Sequence, residues 1–296
     1  MGVLLTLGCY LVGFSPSFAM FCRFIAPDAL RIILFVLGAF MWLVSLLLSS
    51  FTWLVVSMLV DSLPITVAIS IAYQEAAKVF YFWILKKSQS GLNKIAHAGD
   101  RTGERNFISD LHNSRHMLAL VCGLGMGVIA ALCYTMNVFA EFAGSGSIGL
   151  PAALLKNSSD VNRAGEFLPL YYALSAMFLT IFHVVWVIMV WDSCHRFSTS
   201  NRWFLSGSLA VGSHYLVSGI SLVNDSGYQT PALLSQLIIL LACIVYCHVI
   251  MGGSVKSFVS VCSNAAMDWV SLQWVRKKIC GMGTIVLDEI EAEERT

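Results

Sequence analysis

Residues 118–137 read Leu-Ala-Leu-Val-Cys-Gly-Leu-Gly-Met-Gly-Val-Ile-Ala-Ala-Leu-Cys-Tyr-Thr-Met-Asn, and this stretch decides the fold. It holds no charge and is long enough to cross the roughly 30 Å hydrocarbon layer of a bilayer as a helix. Small residues recur at every fourth position: Ala119, Gly123, Gly127, Ala131 and Thr135. Four residues turn a helix by about 400°, so the five share one slowly drifting face. Glycine in a water-exposed helix costs about 1 kcal/mol against alanine. In lipid the same residues let backbones approach closely where no hydrophobic force draws helices together. Gly123, Gly127 and Ala131 are therefore expected to form a groove for other helices, of this chain or of a partner. The alternative is the ordinary scatter of glycine in a membrane helix.

The rest of the chain agrees with a membrane setting. Of 296 residues, 57% are hydrophobic and only 12% charged, with mean hydropathy +0.76; soluble domains carry about 25% charged residues. The apolar runs are long and lack the alternation of a barrel, so the expected class is all-α and polytopic. Seven spans can be drawn: Val3–Cys22, Ile32–Val60, Leu63–Leu85, Leu118–Phe139, Phe167–Trp191, Trp203–Val223 and Pro231–Gly252. Pro16 predicts a kink in the first. A net charge of +1 gives no electrostatic case for nucleic acid. The nine cysteines fall in apolar spans or on the expected cytosolic side, in no metal-ligand spacing, and read as packing residues.

Lysine and arginine set the topology. With the N-terminus outside, Lys156 and Arg163 lie in outer loops, Lys78 lies within a span, and every other one of the 18 basic residues falls inside. This bias favours a lumenal N-terminus and a cytosolic C-terminus. Asn157-Ser158-Ser159, in the long outer loop, is a possible glycosylation site; Asn224-Asp225-Ser226 sits close to the membrane. Lys86–Arg115 is basic and polar, contains Gly91, Gly99 and Gly103, and is expected to be a loop. The tail from residue 254 starts with an apolar spacing of Phe258, Val261, Ala265, Trp269 and Leu272, which fits an interfacial helix followed by Arg276-Lys277-Lys278. Its acidic end is expected to be disordered.

Ionisable groups inside a bilayer are expensive and should face a bundle interior or a cavity. The candidates are Gln74, Glu75 and Lys78 in the third span, Asn137 in the fourth, His183 in the fifth, His214 in the sixth and His248 in the seventh. Counting from the inner ends places Glu75, His183 and His214 at roughly 12–16 Å depth, in one layer. Glu75 and Lys78 are three apart and can pair, while Lys78 lies nearer the inner surface and has the reach to snorkel. A carboxylate with two histidines is also raw material for general-base or metal chemistry. The spacing signatures of that chemistry are missing: no His-Glu-x-x-His, no Gly-x-Ser-x-Gly, no pair of membrane aspartates. A structural polar network is the favoured reading; no cofactor and no metal are expected.

Several stretches resemble one family. Phe40–Leu48, Gln74-Glu75, Leu85-Lys86-Lys87, Gly123 to Gly127, His183-Val-Val-Trp186, Trp191-Asp192-Ser-Cys194 and Gly212-Ser-His214 follow in order the pattern of the anterior-pharynx-defective (Aph) subunits of gamma-secretase, the nematode form in particular. The resemblance covers about residues 1–255. It implies a seven-span, non-catalytic scaffold that binds nicastrin, presenilin and the presenilin enhancer subunit. It also implies residence in the endoplasmic reticulum, Golgi and plasma membrane, and a complex that cleaves type I membrane proteins such as Notch and amyloid-precursor-like substrates. The family's glycine stripe falls on Gly123 and Gly127, with Ala131 where many members have a third glycine. Its two membrane histidines fall on His183 and His214, and Lys78 stands where arginine is frequent. The competing function is an intramembrane glutamyl hydrolase, resembling CAAX-processing proteases, that uses Glu75, His183 and His214.

Overall fold

A computed structural model describes residues 3–58, 62–98, 115–143, 168–197, 200–222 and 229–270. All the regular structure among them is helical. Helix α1 (Val3–Met20) contains Pro16 and runs directly into a π-helical turn, Phe21–Ile25. Helix α2 (Ala29–Val56) starts at Asp28, whose side chain accepts the amide hydrogen of Leu30 at 3.0 Å and pairs with Arg31 at 3.2 Å. Helices α3 (Leu63–Ala98), α4 (Arg115–Ala143), α5 (Leu168–Arg196), α6 (Trp203–Ser221), α7 (Gln229–Ile250) and α8 (Val255–Val270) follow.

Five segments are long and apolar enough to cross a membrane: Leu7–Ile25, Ala29–Val56, Arg115–Met136, Pro169–Arg196 and Gln229–Ile250. The outer side of α2 shows the environment they suit. Ile33, Val36, Phe40, Leu47, Phe51 and Leu54 recur at helical spacing and are all more than half exposed. A stripe of that size in water would drive aggregation; facing acyl chains it is at rest. The apolar runs of the sequence predict seven spans; α3 and α6 are not among the five, and they carry Gln74, Glu75, Lys78 and His214.

The residues up to Cys247 form one compact unit, and His248 onward a second. Helices α4 and α5 sit at the centre of the first. Every residue from 121 to 127 on α4 and from 182 to 193 on α5 is buried, so neither has an outward face there. Helix α4 packs between α2 and α5, and α5 also meets α1, α3 and α6. Helix α7 turns Ala232, Gln236, Leu240, Cys243 and Cys247 inward, with the Cys247 thiol donating to the Val185 carbonyl at 3.6 Å.

The expected loop over Lys86–Arg115 is corrected in its first part, because α3 continues as helix to Ala98. The segment Lys86–Ala98 holds Lys, Gln, Leu and Ala, which favour helix, and a single interior Gly91 costs only about 1 kcal/mol. Asn157 and the sequon at Asn224 lie outside the described residues, as does the tail beyond Val270.

Candidate polar core and helix-packing site

The glycine stripe lies against α5 of the same chain. A Cβ placed on Gly123 would sit 2.6 Å from the Val184 Cα and 3.0 Å from the His183 carbonyl oxygen. One on Gly127 would sit 2.6 Å from the Thr180 carbonyl oxygen and 2.9 Å from its Cα. The obstructing atoms are backbone, which cannot swing aside. Thr180 also donates to the Gly127 carbonyl at 3.4 Å. Ala131, one turn on, is fully buried.

A second close approach, not singled out in the sequence, lies on the opposite face. A Cβ on Gly125 would collide with the Phe35 carbonyl oxygen on α2 and come within 3.1 Å of the Ala39 nitrogen. Reciprocally, one on Gly38 of α2 would lie 2.6 Å from the Cys122 carbonyl oxygen. The signal was present as Gly-Leu-Gly-Met-Gly: glycines two apart fall about 200° apart around a helix, so alternate ones face different neighbours.

The polar layer is assembled by α3, α5 and α6. Glu75 Oε1 lies 2.5 Å from Lys78 Nζ and 2.5 Å from His214 Nδ1. One carboxylate oxygen thus ties two turns of α3 to each other and α3 to α6. Beneath this group lies Trp186 of α5. His214 stacks on its ring at 3.9 Å, 22° from parallel, and Lys78 Nζ stands 4.9 Å from its centroid. Trp186 Nε1 donates to Ser213 Oγ at 2.9 Å, adjacent to His214 on α6. The indole is therefore an aromatic platform for the imidazole and for the ammonium, and the ammonium–ring contact gains energy when desolvated.

Lys78 does not reach for the inner surface as expected. Its side chain is 0% exposed. Pairing with Glu75 is available within one helical turn, and Trp186 covers the ammonium, so snorkelling would abandon both contacts. Trp191 Nε1 additionally donates to the Lys78 carbonyl at 3.1 Å, joining α5 to α3.

His183 stands in the layer without joining its hydrogen bonds. Its ring meets His214 edge-on at 5.8 Å and Trp186 edge-on at 5.4 Å, and its Nδ1 is buried without a hydrogen-bond partner among the described residues. Gln74 works on another flank: it accepts from Trp42 Nε1 at 3.3 Å and donates to Ser70 Oγ at 3.3 Å, linking α2 to α3. Asn137 falls in α4 with its side chain outside the described residues. A cavity of about 460 Å³ lies beside the layer, bordered by Trp42, Gln74, His183, His214, Ser218 and Gln236.

A further cluster is not among the sequence candidates, because Asp192 falls one residue past the drawn span Phe167–Trp191. It is buried, accepting from Arg196 Nε at 2.9 Å and from Ser206 Oγ at 2.9 Å. Ser206 lies 3.1 Å from the Tyr246 hydroxyl, so α5, α6 and α7 meet there. Among the described residues no group of three His, Cys, Asp or Glu side chains is placed to hold a metal ion.

Comparison with known proteins places this arrangement. The Aph-1 protein family model matches residues 4–254. The chain belongs to the Aph-1 family. It is 54% identical over 280 residues to "Gamma-secretase subunit aph-1" of Caenorhabditis elegans, covering 94% of this chain and 91% of that one. It is 31% identical to "Gamma-secretase subunit Aph-1" of Drosophila melanogaster, covering 85% and 94%. With "Gamma-secretase subunit Aph-1b" of Danio rerio the identity is 30%, covering 87% and 92%. The matched region of this Aph-1 chain contains both glycine contacts and the whole Glu75 layer, and its candidate membrane helices make it an integral membrane protein.

Proposed function

We propose that this chain is a non-catalytic scaffold subunit of a gamma-secretase complex, assembling presenilin, nicastrin and the presenilin enhancer subunit for cleavage of type I membrane proteins. The observation that carries the reading is the likeness to the named gamma-secretase subunits along nearly their full length. The proposal includes seven spans, with α3 and α6 held in the bilayer by their neighbours, a lumenal N-terminus and a cytosolic C-terminus. It also includes residence in the endoplasmic reticulum, Golgi and plasma membrane. The charge distribution supports this orientation.

The geometry supports a structural role for Glu75, Lys78, His214 and Trp186. A general base must hold a water within hydrogen-bond reach of a substrate. Glu75 Oε1 is instead engaged by an ammonium and an imidazole of the same chain. Gly123 and Gly127, likewise, are spent on α5, so partners meet a bundle whose centre is already closed. No observation favours the glutamyl-hydrolase reading.

Blue-native electrophoresis of the tagged chain from its own membranes tests the proposal. The expected result is a multi-subunit band containing presenilin, with no species at 32.5 kDa. A lone monomer overturns it, as does peptide or prenyl-protein turnover by the purified chain that Glu75→Gln abolishes.

A further inference from the structure

Helix α8 (Val255–Val270) has no part in the site described above. It begins four residues after α7, a candidate membrane span, ends at Ile250. Four residues reach at most about 14 Å, so the start of α8 cannot leave the headgroup region of the bilayer. The connection opens with a tight turn. Gly252 has φ +95, its amide bonds to the Val249 carbonyl at 3.0 Å, and the Gly253 amide bonds to that of His248 at 2.9 Å. The His248 ring then stands 5.5 Å from that of Phe258 on the first turns of α8.

At 100° per residue, positions 255, 258, 259, 262, 265, 266, 269 and 270 fall within a stripe of about 140°. They are Val, Phe, Val, Cys, Ala, Ala, Trp and Val. The rest of the circumference carries Lys256, Ser257, Ser260, Ser263, Asn264 and Asp268, interrupted by Val261 and Met267. Among the described side chains of the stripe, Val255 is 55% exposed and Val259 60%. The sequence continues to Arg276-Lys277-Lys278.

We propose that α8 lies on the bilayer surface, its Val255, Phe258 and Val259 side in the acyl boundary, and that Lys256 with Arg276-Lys277-Lys278 binds anionic lipid headgroups. Apolar stripe and basic cluster are the two signals that together hold a helix at a charged interface. The occupant is lipid because the tether leaves the stripe at headgroup level, where acyl chains are the nearest apolar phase.

The test uses the full chain in nanodiscs, with an environment-sensitive fluorescent amino acid placed singly at 255, 257, 259, 260 and 264. Both leaflets have the same composition, so the result is independent of the topology proposed above. In discs containing phosphatidylserine, emission at 255 and 259 should be blue-shifted and quenched by brominated acyl chains, while 257, 260 and 264 remain aqueous. Neutralising Arg276, Lys277 and Lys278 to Gln should weaken the anionic-lipid preference by roughly fivefold per charge, about 1 kcal/mol each. Equal, aqueous emission at all five positions overturns the proposal. So does shielding of 255 and 259 that appears only in the assembled complex and is untouched by brominated lipid, since that assigns the stripe to a protein partner.

Discussion

Alanine at Gly123, Gly125 and Gly127 should destabilise the chain in a pattern set by which helix each faces. At Gly123 and Gly127 the new methyl carbon would lie 2.6 Å from α5 backbone, against about 3.5–4.0 Å for carbons in contact. Helices α4 and α5 must therefore part by roughly 1 Å, and a gap of that size forfeits a quarter to a half of each dispersion contact along the seam. Overpacking of this kind costs about 1–3 kcal/mol, and alanine's better helix propensity returns at most about 1. A net loss of about 1–2 kcal/mol per site follows. The combinations carry more information than the single variants. Gly123→Ala and Gly127→Ala open the same seam, so the second should cost less once the first has opened it, by about 0.5 kcal/mol or more. Gly125→Ala opens the other seam, toward α2, and should add to Gly123→Ala within about 0.5 kcal/mol. Reversible unfolding in mixed micelles, followed by tryptophan fluorescence against sodium dodecyl sulfate fraction, measures all five. Additive losses for the 123/127 pair, or a neutral Gly125→Ala, would refute the assignment of these glycines to two internal helix seams.

Three further outcomes are expected. Lys78→Met leaves Glu75 in the interior without its ammonium and should cost about 3–5 kcal/mol, most of it recovered in the Glu75→Gln/Lys78→Met double variant; the same titration reads both. Trp186→Phe removes the 2.9 Å bond to Ser213 and part of the platform under His214 and Lys78, for a loss of about 1–2 kcal/mol. Ser213→Ala should lose only the hydrogen-bond share of that, and a larger loss than Trp186→Phe would displace the indole from the centre of the network. Gly252→Ala forces a side chain onto φ +95, costing about 1–3 kcal/mol locally. Amide exchange should quicken at residues 249–258 while the unfolding midpoint of the bundle stays put.

The period of the small residues was legible in residues 118–137, because a helix face is a property of spacing alone. The identity of the neighbour was not, because spacing says nothing about which of several apolar helices fills the groove. Gly125 was passed over for the same reason: a four-residue search sees one face, and α4 has two. Glu75 and Lys78 are a turn apart, so their pairing followed from helix geometry. That Lys78 would be sealed by Trp186 did not, since it needed the position of α5. Trp186 itself was available as the fourth residue of His183-Val-Val-Trp186, one turn from His183 on the same face, yet an indole in a membrane span has no period to advertise its role. Helix α3 ran past Leu85 because the sequence signal for its end was hydropathy, which marks the edge of the apolar run and not of the helix.

Hydropathy also ranks the surfaces of this protein in reverse. On α2 the buried positions are Leu34, Gly38, Met41, Trp42, Ser45 and Ser49, while the exposed stripe is Ile33, Val36, Phe40, Leu47, Phe51 and Leu54. A soluble helix with that pattern would be turned the other way. In a bilayer the outside is as apolar as leucine, so burial is decided by what lipid cannot offer: close backbone contact, a partner for a hydroxyl, an acceptor for an indole N–H. Three of the inward residues of α2 that depart from the aliphatic pattern have such a use. Gly38 admits Cys122, Trp42 donates to Gln74, and Ser45 donates to its own helix at the Trp42 carbonyl, 2.6 Å away. The same criterion assigns interior faces on α3 and α6, where Gln74, Glu75, Lys78, Ser213 and His214 all find partners, although neither helix is among the five marked as candidate spans by length and apolarity. Replacing Ser45 and Ser49 by leucine would raise the hydropathy of α2 and, on this reasoning, lower the stability of the bundle. A gain in the unfolding midpoint of that variant would mean that bulk apolarity, rather than close contact and hydrogen bonding, decides which side of a helix faces in.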